Sequence, residues 1–527
     1  LILEGSIDVV MTVLPNAPVD DSTGLPVPTI AIATGGGVSI IKDDGTVINS
    51  TSNTGYPIKE ISIFSSGELY HRQGSGSNEG VCFNNPYTRI SGIDLGTYAN
   101  SSTFWYATDG VGNSSNYLGY SSVPPNAITT PTQSSLNIGD NRGLTFVDVN
   151  KSSLNNGMVA YATTSYNTGY MHGDIKGAFL SDTDTTNVSA DTLNAVNAFD
   201  GTFASSTGWT ADSDWSISGG VATCNGNNSG RFLYPTNDRW SYNRSVVVEV
   251  TVTAYTSGTL SISYGTGGAT SGTNMTATGT YKFVNVTTGN ELIYIRSDSF
   301  VGSIDNVKIY YTEEDRSVNN NGLIPYGTIT KSAVATGAEL VAYSGFNGSN
   351  SNYLEQPYNS DLDFGTSDFS AMYWFYQSTH SNYQDVLSRQ LSSSTDGGWT
   401  FQHQNNGTVR FYIRRGGSYR SVLFSDNSIT TSSWTHIAVV RTGDNFNMYI
   451  NGVIGDASGG TETGGITLNN ANLRISTRRD QTAYPILSGN SIALVRLSAS
   501  VPSPEQIKKM YEDEKVLFQE NAKATLY

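Results

Sequence analysis

Turn signals recur at short intervals along this 527-residue sequence and divide most of it into runs too short for long helices. Residues 30–33 and 38–42 are strand-like runs separated by three glycines, and Asp43-Asp44-Gly45 then gives a hairpin signal. Glycine occurs 55 times, whereas charged residues are only 14% of the chain. Glycine suits tight turns, while long surface helices need charged residues and alanine. The sequence therefore predicts an all-β fold.

The length of the chain predicts several domains, and its charge limits the kinds of partner that it can bind. A protein of 527 residues is expected to form several domains. Its 45 acidic and 29 basic residues give a net charge of −16, which argues against a nucleic-acid partner. Solubility accounts for this acidity, and calcium ligation is the alternative. No apolar stretch approaches the length of a membrane span, so no membrane insertion is expected.

The number of cysteines indicates the kind of cellular compartment in which the chain folds. There are only two, Cys82 and Cys224, and they fall in different predicted domains. A disulfide framework is therefore not expected, as is usual for proteins folded in a bacterial cytoplasm, virion proteins included. No signal peptide is visible, and the chain begins at Leu1 rather than Met, so we expect a processed form or a piece of a longer protein.

Residues 1–186 are predicted to form a β-meander. The strand–turn–strand pattern of residues 30–45 returns at 61–71 and continues at 144–163. Blades of a β-propeller are built in this way, so we predict a partial β-propeller-like module, with a β-sandwich as the alternative. The glycine-rich residues 166–180 are interpreted as a loop that closes a blade.

A second domain is predicted over residues 196–312, after a linker. Its β-branched centre, residues 246–252, predicts a buried strand, and Ile-Asp-Asn-Val at 304–307 closes it. Residues 313–345 are expected to be a connector with strands that return to the first module. The second domain would then be an insertion into that module or its neighbour.

Residues 346–501 are predicted to form another β-sandwich. Residues 368–375 alternate and end in aromatic side chains, and the Asn-Asn-Gly at 405–407 predicts a hairpin. Trp434 begins a β-branched run, which is followed by Tyr-Ile-Asn-Gly at 449–452. This arrangement predicts two sheets packed face to face.

Residues 502–527 contain the one clear helix, predicted over residues 503–523, and the start of a further strand. Ser503 is predicted as the N-cap, followed by Pro504, and Gln506 completes a capping box. An apolar stripe predicts packing on the sandwich or on a neighbouring chain. The stripe consists of Ile507, Met510, Tyr511, Leu517 and Phe518.

Several parts of the chain resemble known families. Residues 346–501, above all Trp434 followed by Tyr-Ile-Asn-Gly, resemble a concanavalin A-like, laminin-G-like lectin sandwich. Residues 196–312 resemble a carbohydrate-binding jelly roll of the galactose-binding-like type. Residues 166–180 and 31–45 resemble tail and virion proteins of marine bacteriophages, and residues 505–518 resemble phage tail proteins.

The two sandwich resemblances imply sugar sites, where aromatic rings stack on the sugar and polar side chains bond its hydroxyl groups. In the jelly roll the candidates are Trp209, Trp215, Tyr234 and Trp240, with core packing as the alternative for the first two. In the lectin-like sandwich they are Arg414, Arg415 and Tyr419, in a basic glycine-rich loop that either binds an anionic glycan or salt-bridges a neighbour.

The jelly-roll resemblance also implies a structural calcium ion with Asp200 and Asp305 as ligands; the alternative is that Asp305 only caps a turn. Motifs for zinc, phosphate or serine-nucleophile chemistry do not occur in the sequence. The Glu-x-Asp-x-x-Glu strand of catalytic lectin-like folds is missing from residues 353–497. We therefore expect no enzyme, with a polysaccharide depolymerase as a remaining alternative.

These observations favour a virion structural protein of a bacteriophage tail, a fibre or spike that adsorbs to host-surface polysaccharide without catalysis. The resemblance implies a homotrimer that contacts other virion proteins, and many copies would raise avidity. The alternative is a bacterial cell-surface or secreted carbohydrate-binding adhesin, which would be extracellular.

Overall fold

The computed structural model consists of mainly antiparallel sheets with one α-helix among the residues it describes, which confirms the predicted all-β class. The described residues are 6–51, 58–63, 69–75, 78–84, 103–107, 119–120, 127–129, 135–139, 143–148, 157–163, 166–179, 199–236, 245–264, 269–286, 292–317, 319, 321–390, 397–415, 418–455, 460–466, 470–478 and 484–525.

The N-terminal part contains three meandering sheets whose strands follow one another in chain order, as the sequence predicts. The first is β1 (Ser6–Thr12), β2 (Thr29–Thr34), β3 (Gly37–Ile41) and β4 (Val47–Thr51). The second is β5 (Ile58–Ile63), β6 (Leu69–Ser75), β7 (Asn78–Asn84), β8 (Thr103–Ala107) and β9 (Gly119–Tyr120). The third is β10 (Ala127–Thr129), β11 (Ser135–Gly139), β12 (Gly143–Asp148), β13 (Met158–Thr163) and β14 (Met171–His172). The strand β15 (Ile175–Phe179) follows.

The jelly roll is built on two long strands that bridge its sheets. Its strands are β16 (Trp209–Ala211), β17 (Trp215–Ser218), β18 (Val221–Asn225), β19 (Ser229–Pro235), β20 (Ser245–Tyr264), β21 (Ala269–Met275), β22 (Gly279–Val286) and β23 (Ile293–Tyr311). Strands β16 to β19 pair around β23, while β20 pairs with β21, β22 and β23. The β-branched run at 246–252 lies in β20, and its valines at 246, 248 and 250 are fully buried in the core.

The lectin-like sandwich is made of a nine-stranded and a seven-stranded sheet. The seven-stranded order is β24 (Ile324–Tyr326), β27 (Tyr353–Gln356), β37 (Leu473–Ile475), β29 (Gln384–Arg389), β30 (Trp399–His403), β31 (Val409–Arg415) and β32 (Ser418–Phe424). The nine-stranded order is β25 (Thr330–Ala333), β26 (Val341–Ser344), β38 (Ser491–Ser498), β28 (Phe369–Tyr376), β33 (Trp434–Thr442), β34 (Asn445–Ile450) and β35 (Val453–Ile454), joined by β15 and β36 (Gly460–Thr461). Buried aromatic and aliphatic side chains fill the space between the sheets.

The strand β15 corrects two expectations. Residues 166–180 are not only a blade-closing loop, because β15 pairs with β38 and Phe179 is buried in the sandwich core. The strands of the predicted connector, β25 and β26, also join the nine-stranded sheet rather than the first module. Local sequence could not show these pairings, because the partner strands lie far along the chain.

The segments that lead into and out of the jelly roll lie side by side. The backbone N–H of Ala178 donates to the carboxylate of Asp315 (2.9 Å), and the N–H of Arg316 donates to the Ala178 carbonyl (2.7 Å). The outgoing and returning segments are thus bonded together. The jelly roll is an insertion between β15 and the remainder of the sandwich.

The helix α1 (Pro504–Glu514) continues into a 3₁₀ turn at Lys515–Phe518. The capping box between Ser503 and Gln506 is present as predicted. Ile507 and Met510 are buried against the outer face of the nine-stranded sheet, which confirms packing on the sandwich. None of the helices in the described part of the chain is long and apolar enough to cross a membrane.

Glu514, at the end of α1, joins the helix to both the sheet and the third meander. Its carboxylate accepts the indole N–H of Trp374 (2.7 Å) and the backbone N–H of Tyr170 (3.1 Å), and it pairs with Arg496. Gly169 has φ +63° here, and a Cβ would lie 2.7 Å from the carboxylate. Tyr170 and its neighbours are thus fixed against α1 by hydrogen bonds to a buried ion pair.

Candidate functional site

The outward face of the seven-stranded sheet carries an unusual row of polar side chains. Residues alternate along each strand, so Phe401, Phe411 and Ile413 point into the core. The residues between them, among them Gln402 and Tyr412, lie on the opposite face. We call this the polar row. It consists of Tyr326, Tyr353, Glu355, Arg474, Asp385, Ser388, Thr400, Gln402, Arg410, Tyr412 and Arg414.

Two buried ion pairs organise the centre of the polar row. Arg474 donates through Nε to Glu355 (2.6 Å), and Nε of Arg478, just after β37, lies 2.8 Å from Asp385. Gln402 also donates to Asp385 (2.7 Å), whose side chain is fully buried. These contacts fix the side chains before any ligand arrives, which lowers the entropy lost on binding.

Tyrosine rings alternate with arginines along the same face. Tyr353 stacks on Tyr326 with ring centres 4.6 Å apart, and the Arg474 guanidinium lies 4.2 Å from the centre of Tyr353. Burial raises the pKa of both tyrosines above the usual range, so their hydroxyl groups stay protonated. Protonated phenols beside guanidinium groups can donate hydrogen bonds to oxygen-rich ligands.

One end of the polar row reaches solvent. The Arg410 guanidinium lies 4.6 Å from the ring centre of Tyr412 and 5.6 Å from that of Phe424. Phe424 is 42% exposed, although it belongs to a strand of the sandwich. An exposed ring beside a cation and a phenol offers both an apolar surface and hydrogen-bond donors.

Arg414 and Arg415, predicted in one loop, lie in β31 and point in opposite directions. Arg414 belongs to the polar row, whereas Arg415 forms an ion pair with Glu462 (2.7 Å). The salt-bridge alternative therefore holds for Arg415, within its own chain. Tyr419 lies in β32 opposite Arg414.

Two predicted stacking residues of the jelly roll belong to its core. Trp209 packs between Phe199 and Phe203, and Trp215 stacks on Phe300. Both tryptophans are at most 8% exposed, so their prediction as sugar-stacking residues is corrected in favour of core packing. Both side chains are large and apolar, and burying them stabilises the domain because it removes apolar surface from water.

Tyr234 lies on the outer surface of the same jelly roll. It is half-buried, and the centre of the Tyr294 ring lies 4.8 Å from its own, with Phe232 5.2 Å from Tyr294 on the other side. The Arg296–Asp298 ion pair (3.0 Å) lies beside this aromatic group. Tyr234 therefore remains a sugar-site prediction, whereas Trp240 lies outside the described residues.

The predicted calcium ligands lie near each other in the chain trace. The N–H of Val307 donates to the Gly201 carbonyl (2.8 Å), which brings the segments of Asp200 and Asp305 together. Asp200 accepts hydrogen bonds from the hydroxyl (2.7 Å) and N–H (3.0 Å) of Thr202, and these lower its pKa. Within the described residues no group of three or more His, Cys, Asp or Glu is arranged for a metal. The calcium ion stays a prediction.

Sequence reasoning missed most of the polar row. Single polar residues in strands, such as Glu355 and Gln402, are indistinguishable from ordinary solvent-facing positions when each strand is considered alone. The usable signal was alternation across several strands, where polar residues occupy the same face of β30 and β31.

A comparison with known families places the lectin-like sandwich. Residues 347–508 match the model of the family described as the concanavalin A-like lectin/glucanases superfamily. This match confirms the predicted lectin-like fold for that part of the chain. No curated protein matches the sequence.

Several solved structures are similar to part of the chain at low identity. Domain 4 of AbnA, a GH43 extracellular arabinanase from Geobacillus stearothermophilus, in complex with arabinotriose, is 17% identical, with a TM-score of 0.30, over 38% of this chain and 93% of that one. The CBM40 of a Ruminococcus gnavus IT-sialidase bound to α2,3 sialyllactose is 14% identical, with a TM-score of 0.26, over 31% and 96%. A botulinum neurotoxin type C structure concerning two ganglioside molecules is 15% identical, with a TM-score of 0.29; the match covers 40% of this chain and 49% of that one.

Proposed function

We propose that the chain is a glycan-binding structural protein of a bacteriophage tail, which adsorbs to host-surface polysaccharide through the end of the polar row that reaches solvent, at Arg410 and Phe424. The observation that carries the proposal is this exposed ring beside a guanidinium group and a phenol, since the remainder of the row, apart from the half-buried Tyr326, is buried. A sheet face of tyrosine, arginine, amide and hydroxyl side chains matches the chemistry of a sugar, which has apolar ring faces and many hydroxyl groups.

Stability alone gives no reason for such a face. Replacing buried ion pairs by apolar side chains of similar volume is often neutral or stabilising. Two such pairs, Glu355–Arg474 and Asp385–Arg478, nevertheless occur side by side on one sheet. Arg478 also lies 3.5 Å from the Tyr412 hydroxyl, and Tyr412 contacts Arg410, so this second pair helps to fix the end of the row that reaches solvent.

Binding without a covalent step fits the positions of the acids. Glycosidases generally use two carboxyl groups about 5–10 Å apart, one of which acts as an acid. Glu355 and Asp385 are each held by an arginine instead. A polysaccharide depolymerase is the second candidate, and release of reducing ends from host capsule would identify it.

Phe424, which is exposed, and Arg410, which is half-buried, allow a test that spares the core. Phe424→Ala and Arg410→Ala should each weaken binding to the recognised polysaccharide at least about tenfold, measured by calorimetry after a screen of bacterial surface polysaccharides. Ile454→Ala is the matched control, since Ile454 is 55% exposed on the other sheet. The proposal fails if no polysaccharide binds, or if both variants bind like the wild type.

The viral part of the proposal is tested separately. It is supported by the resemblance of residues 166–180 and 505–518 to phage tail proteins, and it places the chain in virions as a homotrimer with other tail proteins. Mass spectrometry of purified virions should detect the chain. A gene flanked by secretion genes and encoding an upstream signal peptide would favour the adhesin, which is extracellular.

A further inference from the structure

The first meander sheet exposes an apolar surface that none of the other described residues covers. Seven of the twelve exposed large apolar side chains among the described residues lie between positions 7 and 47. They are Ile7, Val9, Met11, Val13, Val19, Leu25 and Val47. Apolar residues scattered singly on a surface need no explanation, but a cluster on one element indicates an interface.

Strand register gathers several of these residues into one row. Met11 lies opposite Ile30, Ile30 opposite Ile41, and Ile41 opposite Val47. The row therefore crosses all four strands, and Val9 and Ile32 lie beside it. We call these six residues the apolar row. The other face of the sheet holds the buried core, including Ala31 and Ile40.

The exposure of the apolar row is substantial. Met11 is 63% exposed, Val47 54% and Val9 51%, while the three isoleucines are half-buried. With Ile7 and Val13 alongside, the surface amounts to on the order of 500 Å² per copy, and two copies would bury about 1,000 Å² together. That total reaches the lower limit for a specific interface between proteins.

We propose that the apolar row packs against the same surface of a second copy of this chain. The chain carries a net charge of −16, so two copies repel each other over most of their surface. The apolar row contains no charged residue, and two copies can approach there at the smallest electrostatic cost. A face that packs on itself gives a two-fold contact, which is separate from the three-fold contacts of the proposed trimer and would join copies of different trimers.

Self-association through the apolar row is a property separate from the proposed glycan binding, and it would strengthen that binding. Each pair would present two polar rows, so a weak site on each copy would gain avidity on a repeating polysaccharide.

The test compares the wild type with a charge-bearing variant by sedimentation velocity up to about 100 µM. The wild type should associate, and Met11→Glu/Val47→Glu should weaken association at least about tenfold through like-charge repulsion. Val516→Glu is the matched control, because Val516 is 49% exposed on the C-terminal 3₁₀ turn. A monomeric wild type, or an unchanged double variant, overturns the proposal.

A second measurement needs no substitution. Amide hydrogen exchange of the wild type at low and high concentration should show slower exchange in residues 6–13 at high concentration. Association with unchanged exchange there would place the interface elsewhere and overturn the proposal, even if the double variant failed to fold.

Discussion

Replacing Glu514 by glutamine removes one charge from a buried ion pair and keeps the shape of the side chain. Glu514 and Arg496 are 2% and 3% exposed, so neither charge is solvated. The Arg496 guanidinium also donates to the Tyr170 carbonyl (2.5 Å), and Trp374 donates to Glu514. The substitution leaves Arg496 buried and unpaired.

The expected loss follows from that unpaired charge. Removing one partner of a buried pair costs about 3–5 kcal/mol, because the other charge remains desolvated. The amide oxygen can still accept one hydrogen bond, so we expect about 3 kcal/mol rather than the upper end of that range. Replacing both residues, as Arg496→Met/Glu514→Leu, removes the unpaired charge but should recover only part of the loss, because the N–H groups of Trp374 and Tyr170 lose their acceptor.

Native-state hydrogen exchange is the appropriate assay, since several domains unfold in this chain and one global transition would mix them. Amides of α1 should exchange roughly 100-fold faster in Glu514→Gln, the equivalent of about 3 kcal/mol. Glu512→Gln is the control, because its partner Lys515 is exposed and the pair should contribute under about 1 kcal/mol. A change below about fivefold in Glu514→Gln would refute the reasoning.

Four further outcomes are expected. Gly169→Ala should destabilise the same contact by about 2 kcal/mol, because alanine is strained at φ +63° and its methyl group meets the carboxylate; an unchanged unfolding free energy would contradict this. Ser503→Ala should cost about 1 kcal/mol of helix stability through the lost cap, measured by exchange in α1, and Ser503→Asp should not. Burial raises the pKa of Asp315 to about 6, so its protonated form is favoured in the fold; the stability it contributes is greatest below pH 3.8 and is lost, by up to about 3 kcal/mol, as pH rises to 6. The difference in unfolding free energy between wild type and Asp315→Asn should follow that slope, and a pH-independent difference would contradict it. Calcium at Asp200 and Asp305 should make the melting temperature fall when chelator is added, and identical melting would exclude it.

Sequence patterns predicted the elements of the fold better than their partners. The all-β class, the lectin-like sandwich and the capped helix were all predicted, because period-two alternation and the Ser503–Gln506 box are local signals. The pairing of β15 with β38 was not, since it joins segments from opposite ends of the chain. The helix also ends at Glu514 rather than near residue 523, because the last apolar residues continue in a 3₁₀ turn.

For the candidate site, the sequence likewise predicted some residues correctly and others wrongly. Arg414 was predicted and belongs to the polar row, while Arg415, its neighbour, does not. A loop was inferred from the adjacent glycines, although both arginines lie in a strand. Trp209 and Trp215 were placed among sugar contacts because tryptophan serves both binding and packing, and only burial separates the two uses.

The two-point attachment of the jelly roll has a mechanical consequence. When tension is applied between the N-terminal module and the C-terminal helix, the bonds that join Ala178 to Asp315 and Arg316 let the load pass directly from the outgoing to the returning segment. The pairing of β15 with β38 attaches these bonded segments to the sandwich. The jelly roll lies outside the path of the load. It therefore stays folded under tension until the hydrogen bonds at its base break.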